Sequence, residues 1–66
     1  DVQHLEALLQ RLPPKTQKVF NLFAIDGFSH QEISDMLGMS EGTSKWHVNN
    51  ARTQLQSWIK TELQTA

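Results

Sequence analysis

The sequence predicts an all-α domain of four helices that ends in a helix-turn-helix with a tri-helical core. Three observations predict it. Apolar residues recur at helical spacing through most of the chain, and no alternating run is long enough for a strand. Proline and glycine divide those stretches at Pro13-Pro14, Asp26-Gly27 and Gly38. The last division is a Gly38-Met39-Ser40 bend between a short capped segment and a long unbroken one, the arrangement of a helix-turn-helix.

The first helix is predicted over about residues 2–11. Leu5, Leu8, Leu9 and Leu12 form one apolar stripe. Pro13-Pro14 ends it, because a residue before proline is pushed out of the α region. Pro14 then suits the first turn of a second helix over about 14–25, where a missing N–H costs nothing. Val19, Leu22 and Phe23 share its apolar face, with Phe20 at the edge and Ile25 beyond. Gly27 supplies a left-handed C-cap.

The third helix is short, about 30–37. Ser29-His30-Gln31-Glu32 has the pattern of a capping box, and Phe28 can staple onto Ile33. Ile33, Met36 and Leu37 are expected on one face. The fourth helix starts after Ser40, a good N-cap, with Glu41 complementing the helix dipole. It is expected to run over about 41–62, burying Ser44, Val48, Ala51, Leu55, Trp58 and Ile59. The Ser44 hydroxyl is expected to bond back to a helix carbonyl. The leucine stripe of the first helix is expected to pack on the second.

Sixty-six residues make one domain. A chain of this size buries only roughly 60% of the surface it exposes when unfolded, so its stability is marginal. It has no cysteine, which removes disulfides and thiolate metal sites and fits a reducing cytoplasm. No apolar run approaches the ~20 residues of a membrane span. The opening Asp1-Val2-Gln3-His4 lacks the pattern of a signal peptide.

A net charge of −1 argues against tight nucleic-acid binding by this domain alone. The placement of charge softens the objection. Asp1, Glu6, Asp26 and Glu62 lie outside the stretch from Phe28 to Lys60. Within the last helix, Lys45, Arg52 and Lys60 face only Glu41 up to that point.

Periodicity and turn alone fit equally a plain helical hairpin inside a bundle and a DNA-binding helix-turn-helix, in which the second helix enters the major groove and the first lies across the phosphates. With Val48 set inward, a helical step puts Thr43, Trp46, Asn50, Thr53 and Ser57 outward, flanked by His47 and Asn49. Asn can bind adenine in bidentate fashion, and Thr or an aromatic can touch a thymine methyl. The bland alternative is that Asn49 and Asn50 are plain solvated surface. Trp46 either contacts a partner or packs against a neighbouring element. His30, in the first turn of the third helix, can donate to a phosphate or simply face solvent. His4, His30 and His47 are far apart and have no cysteine or paired carboxylate beside them, so no metal or cofactor is expected. No phosphate-binding loop and no nucleophile–base spacing points to an enzyme.

Several runs are similar to region 4 of bacterial extracytoplasmic-function (ECF) sigma factors. Leu12-Pro13-Pro14 through Val19-Phe20 and Leu22 resembles the opening of that region. Ile25-Asp26-Gly27-Phe28-Ser29 through Glu32-Ile33 resembles its middle, and Leu37-Gly38-Met39-Ser40-Glu41-Gly42-Thr43-Ser44-Lys45 its turn. Ala51-Arg52 with Leu55 resembles its close. The likeness covers about residues 12–55, and the order and spacing of the pieces make it specific.

The resemblance implies sequence-specific binding to the −35 element of double-stranded promoter DNA. It implies this role for the C-terminal domain of a longer chain attached to RNA polymerase core at the β flap, and it makes an anti-sigma factor a further expected partner. Carried over by position, Lys45, Trp46, His47, Asn49 and Asn50 face DNA. Thr43 and Arg52 lie near its backbone, and His30 and Gln31 near phosphates. The chain departs from the pattern at His47 and Asn50, where relatives often carry arginine, and at Trp46, where a small polar residue is usual. Ser44 stands for a frequent apolar residue. A cytoplasmic monomer is expected. Two rivals remain open: the helix-turn-helix output domain of a response regulator, and a module that chiefly binds an anti-sigma factor or polymerase.

Overall fold

The computed structural model describes the backbone of residues 2–65 and the side chains of residues 6–61. The expectations for Leu5, His4 and Glu62 lie outside the described side chains. Among the described residues the fold is all-α: α1 (Val2–Leu9), α2 (Pro14–Phe20), α3 (His30–Leu37) and α4 (Glu41–Thr65), with a π-helical turn, Asn21–Ile25, continuing α2.

α1 tightens at its end. Arg11 N–H donates to the Leu8 carbonyl and Leu12 N–H to that of Leu9, both at 3.1 Å. These bonds span three residues rather than four, so the helix closes in a narrower turn. Leu12 is thereby drawn inward to 3% exposure. Pro13 is extended (φ −53°, ψ 145°) and Pro14 opens α2.

The second segment is not one regular helix. After Phe20 the bonds lengthen to five residues, as when Asp26 N–H donates to the Asn21 carbonyl at 3.0 Å. The wider turn keeps Leu22 and Phe23 against the core and leaves Ile25 exposed. Gly27 then reverses the chain at φ +83°.

α3 has the expected capping box. Ser29 Oγ accepts from Glu32 N–H at 3.1 Å, and Glu32 Oε1 accepts from Ser29 N–H at 2.9 Å. Gly38 closes it in the left-handed region (φ 68°, ψ 37°). Phe28 packs on the cluster that contains Ile33. Ile33 is fully buried and Leu37 half-buried, but Met36 is exposed, contrary to expectation. Leu37 and His30 lie on one side of Ile33 around the helix, and Met36 lies about 60° to the other. α3 packs through the former side.

Ser40 caps α4, accepting from Thr43 N–H at 3.0 Å and donating to Thr43 Oγ1 at 2.9 Å. Val19, Ile33 and Val48, one from each of α2, α3 and α4, form the centre of the tri-helical core. A second cluster joins Leu8, Leu9 and Leu12 to Ala51 and Leu55. The leucine stripe thus docks chiefly on α4, and of the expected contact with α2 only Phe20 packs against it. α4 is long enough to offer Ala51 and Leu55 beyond the end of the tri-helical core, whereas α2 offers only Phe20, which packs against both clusters. Ile59 is 40% exposed, because the apolar layer of α4 ends at the half-buried Trp58.

Candidate nucleic-acid interface

The turn and the start of α4 are held by side-chain bonds as well as by apolar contact. His30 Nδ1 shares a 2.9 Å hydrogen bond with Ser44 Oγ. Its ring stacks on Phe23, with centroids 4.3 Å apart and planes 14° apart. Ser44 is completely buried, so its hydroxyl joins α3 to α4 instead of bonding back to its own helix as expected. This tie fixes how the two helices of the unit cross.

A second tie joins α2 to α4. Thr16 Oγ1 and His47 Nδ1 share a buried 3.0 Å hydrogen bond. His47 is only 9% exposed. Burial, and then the nearby charge of Lys15, hold its imidazole below the usual histidine pKa, which favours the neutral ring.

His47 therefore does not belong to the outward face on which it was expected. The physical reason is a rotation of the whole helix. The buried set Ser44, Val48, Ala51 and Leu55 is centred about 30° away from Val48 in the direction of His47. Val48 marks an edge of the inward arc, not its middle.

The same rotation decides what faces out. Lys45, Trp46, Asn49, Arg52 and Thr53 are exposed, and Asn50 is half-buried at the margin. Thr43 is exposed with its hydroxyl already engaged by Ser40. Gln31 is exposed in the first turn of α3, and His30 beside it is half-buried with one nitrogen committed to Ser44. The Trp46 indole is 59% exposed and meets the His47 ring nearly edge-on, at 5.0 Å and 78°. It is thus both at the surface and packed on a neighbour. Thr16 is the residue that sequence reasoning missed. Its partner lies 31 positions away, and a threonine in the first turn of a helix carries no local sign of such a bond.

The face can offer amides and a hydroxyl to base edges, two cations to phosphates, and an indole to an apolar or sugar surface. Among the described residues no group of three His, Cys, Asp or Glu side chains could hold a metal ion. No described helix is long and apolar enough to cross a membrane.

A short capped helix, a left-handed glycine and a long helix with one polar, amide-bearing face define a helix-turn-helix domain of the DNA-binding class. Residues 3–55 match the family model described as sigma-70, region 4. The chain is 34% identical over 55 residues to the ECF RNA polymerase sigma factor SigE of Mycolicibacterium smegmatis, a match covering 83% of this chain and 21% of that protein. No solved structure gives a significant match. The chain belongs to the sigma-70 region 4 family and is a DNA-binding domain of the ECF sigma-factor type. It spans about a fifth of the length of the relative it matches.

Proposed function

We propose that this domain recognises the −35 promoter element as the C-terminal part of an ECF sigma factor bound to RNA polymerase core. In that place it directs transcription initiation in the cytoplasm, as a monomer within the polymerase assembly. The observation that carries the proposal is the strip along α4 where Lys45, Trp46, Asn49, Arg52 and Thr53 stand exposed together, with Asn50 beside them. A merely solvated face would be richer in Glu–Lys pairs.

Each residue has a role in this reading. Asn49 and Asn50 offer donor and acceptor to base edges, and Trp46 covers a base or sugar. Lys45, Arg52 and Thr43 meet the DNA backbone, and Gln31 approaches phosphates from α3. When Ser44 donates its proton to His30 Nδ1, the His30 proton sits on Nε2, where it is available to a phosphate oxygen. His47 supports the face from beneath it.

The family match favours this reading over a response-regulator output domain. Contact with the β flap and with an anti-sigma factor belongs to the same proposal, and the exposed Met36 on α3 gives a protein partner apolar surface to bury. The test is selection of bound DNA from a random pool by the complete sigma factor with core polymerase. Enrichment of a motif that depends on Asn49 and Asn50 is expected. A pool that enriches equally well when both are alanine refutes base reading by this strip.

A further inference from the structure

The Trp46 indole, 59% exposed, does not stand free. It leans on the His47 ring at 5.0 Å and 78°. That ring is in turn held by a hydrogen bond between its Nδ1 and Thr16 Oγ1 at 3.0 Å. Thr16 is 2% exposed and belongs to α2, so it is remote from the outward face of α4. The three side chains form a line from the interior to the surface: a buried hydroxyl, a buried imidazole and an exposed indole.

An exposed indole without such support would sample several rotamers, and ordering it on binding would cost side-chain entropy. An edge-to-face aromatic contact favours one orientation. The hydrogen bond holds the imidazole plane, because ring nitrogens accept or donate only in that plane.

We propose that Thr16 and His47 are positioning residues that hold the Trp46 indole in one orientation and so set the base preference where Trp46 meets DNA. The proposal rests on the promoter-reading function above and adds a buried determinant of its specificity. Neither Thr16 nor His47 needs to touch DNA. A buried α2 side chain thereby tunes sequence preference through α4.

The experiment is selection from a random DNA pool by the complete sigma factor with core polymerase, with Trp46→Ala, Thr16→Val, Thr16→Ser and His47→Asn beside the wild type. Thr16→Val keeps the shape and removes the hydroxyl, and Thr16→Ser restores it. His47→Asn keeps a polar partner for Thr16 and removes the ring. Trp46→Ala, Thr16→Val and His47→Asn should relax preference at the same base position, by roughly 2- to 10-fold for the loss of one aromatic contact or its alignment. Thr16→Ser should keep the wild-type preference.

If Thr16→Val does not fold, His47→Asn decides the matter alone. Uniform weakening on all sequences by Thr16→Val and His47→Asn, with Trp46→Ala relaxing one position, would overturn positioning while leaving promoter reading intact. An unchanged preference in Trp46→Ala would overturn it too. A wild type that enriches no motif removes promoter reading itself, and the proposal with it.

Discussion

The two halves of α4 are held in different ways. From Ser44 to Val48 the helix is tied by two directed hydrogen bonds, His30 to Ser44 and Thr16 to His47, around a small apolar centre of Val19, Ile33 and Val48. From Ala51 to Trp58 it is held by the leucines of α1, with Arg11 lying over the Trp58 ring at 4.4 Å. Apolar burial is non-directional: it holds helices together without fixing rotation closely. A buried hydrogen bond fails over a small turn of the helix, and an unmade one is costly. Lys45 and Trp46 stand on the half whose rotation is fixed and Asn49 and Asn50 directly follow it, while Arg52 and Thr53 lie on the other.

Four measurements would break or sharpen this contrast. The largest effect is expected from Ile33→Ala. Ile33 is fully buried where α2, α3 and α4 meet, so its truncation should cost about 2–5 kcal/mol in denaturant unfolding. In a domain of marginal stability that leaves a large unfolded fraction at ambient temperature. A loss below about 1 kcal/mol would mean that this centre is not the principal support of the tied half.

Asn50→Ala should weaken specific promoter binding by about 1–3 kcal/mol if Asn50 makes a bidentate base contact. Lys45→Ala should weaken binding to all sequences alike and lower the salt slope by about 1. Titrations on cognate and scrambled duplexes at several salt concentrations separate the two. A Lys45→Ala loss confined to the cognate site would contradict a phosphate role.

The third measurement is the pH dependence of stability. Burial, and then Lys15, lower the His47 pKa in the folded state. Above the ordinary histidine value of about 6.5 both folded and unfolded forms are neutral, and the full stability is present. As pH falls below that value, the unfolded chain takes up a proton that the folded form resists. Stability therefore declines until pH passes the lowered folded value, where the decline levels off. Thermal melts at pH 7.5 and 5.5 should show this step in the wild type and a smaller one in His47→Asn. Arg11→Ala should leave the step unchanged, since it touches only the other half.

Arg11→Ala should also have the smallest effect on stability. Arg11 is exposed, and a surface cation–π contact is worth about 0.5–1 kcal/mol. A loss well above that, by denaturant unfolding, would show that the C-terminal half of α4 depends on more than leucine packing.

Much of the fold was legible because its signals are local. The Ser29–Glu32 capping box, the left-handed Gly38, the Ser40 cap and the proline break each involve residues at most three apart. The π turn was not legible, because Asn21–Ile25 has the apolar spacing of an ordinary helix and its widening answers to what Leu22 and Phe23 must touch. The candidate face was legible in kind but not in phase. Counting from Val48 placed Trp46 and Thr53 outward, and the same count put His47 on the wrong side.

What the sequence determined by itself was the number of helices, their punctuation, the turn and the family, since all of these rest on short-range steric and capping preferences or on ordered runs of residues. What only the tertiary structure decided was the rotation of α4, the docking of α1 on its far half, and the two polar ties that hold the near half. These depend on pairs such as Thr16 and His47, 31 residues apart, whose contact follows from simultaneous packing of three helices. No periodicity within one segment can encode a direction set by its neighbours.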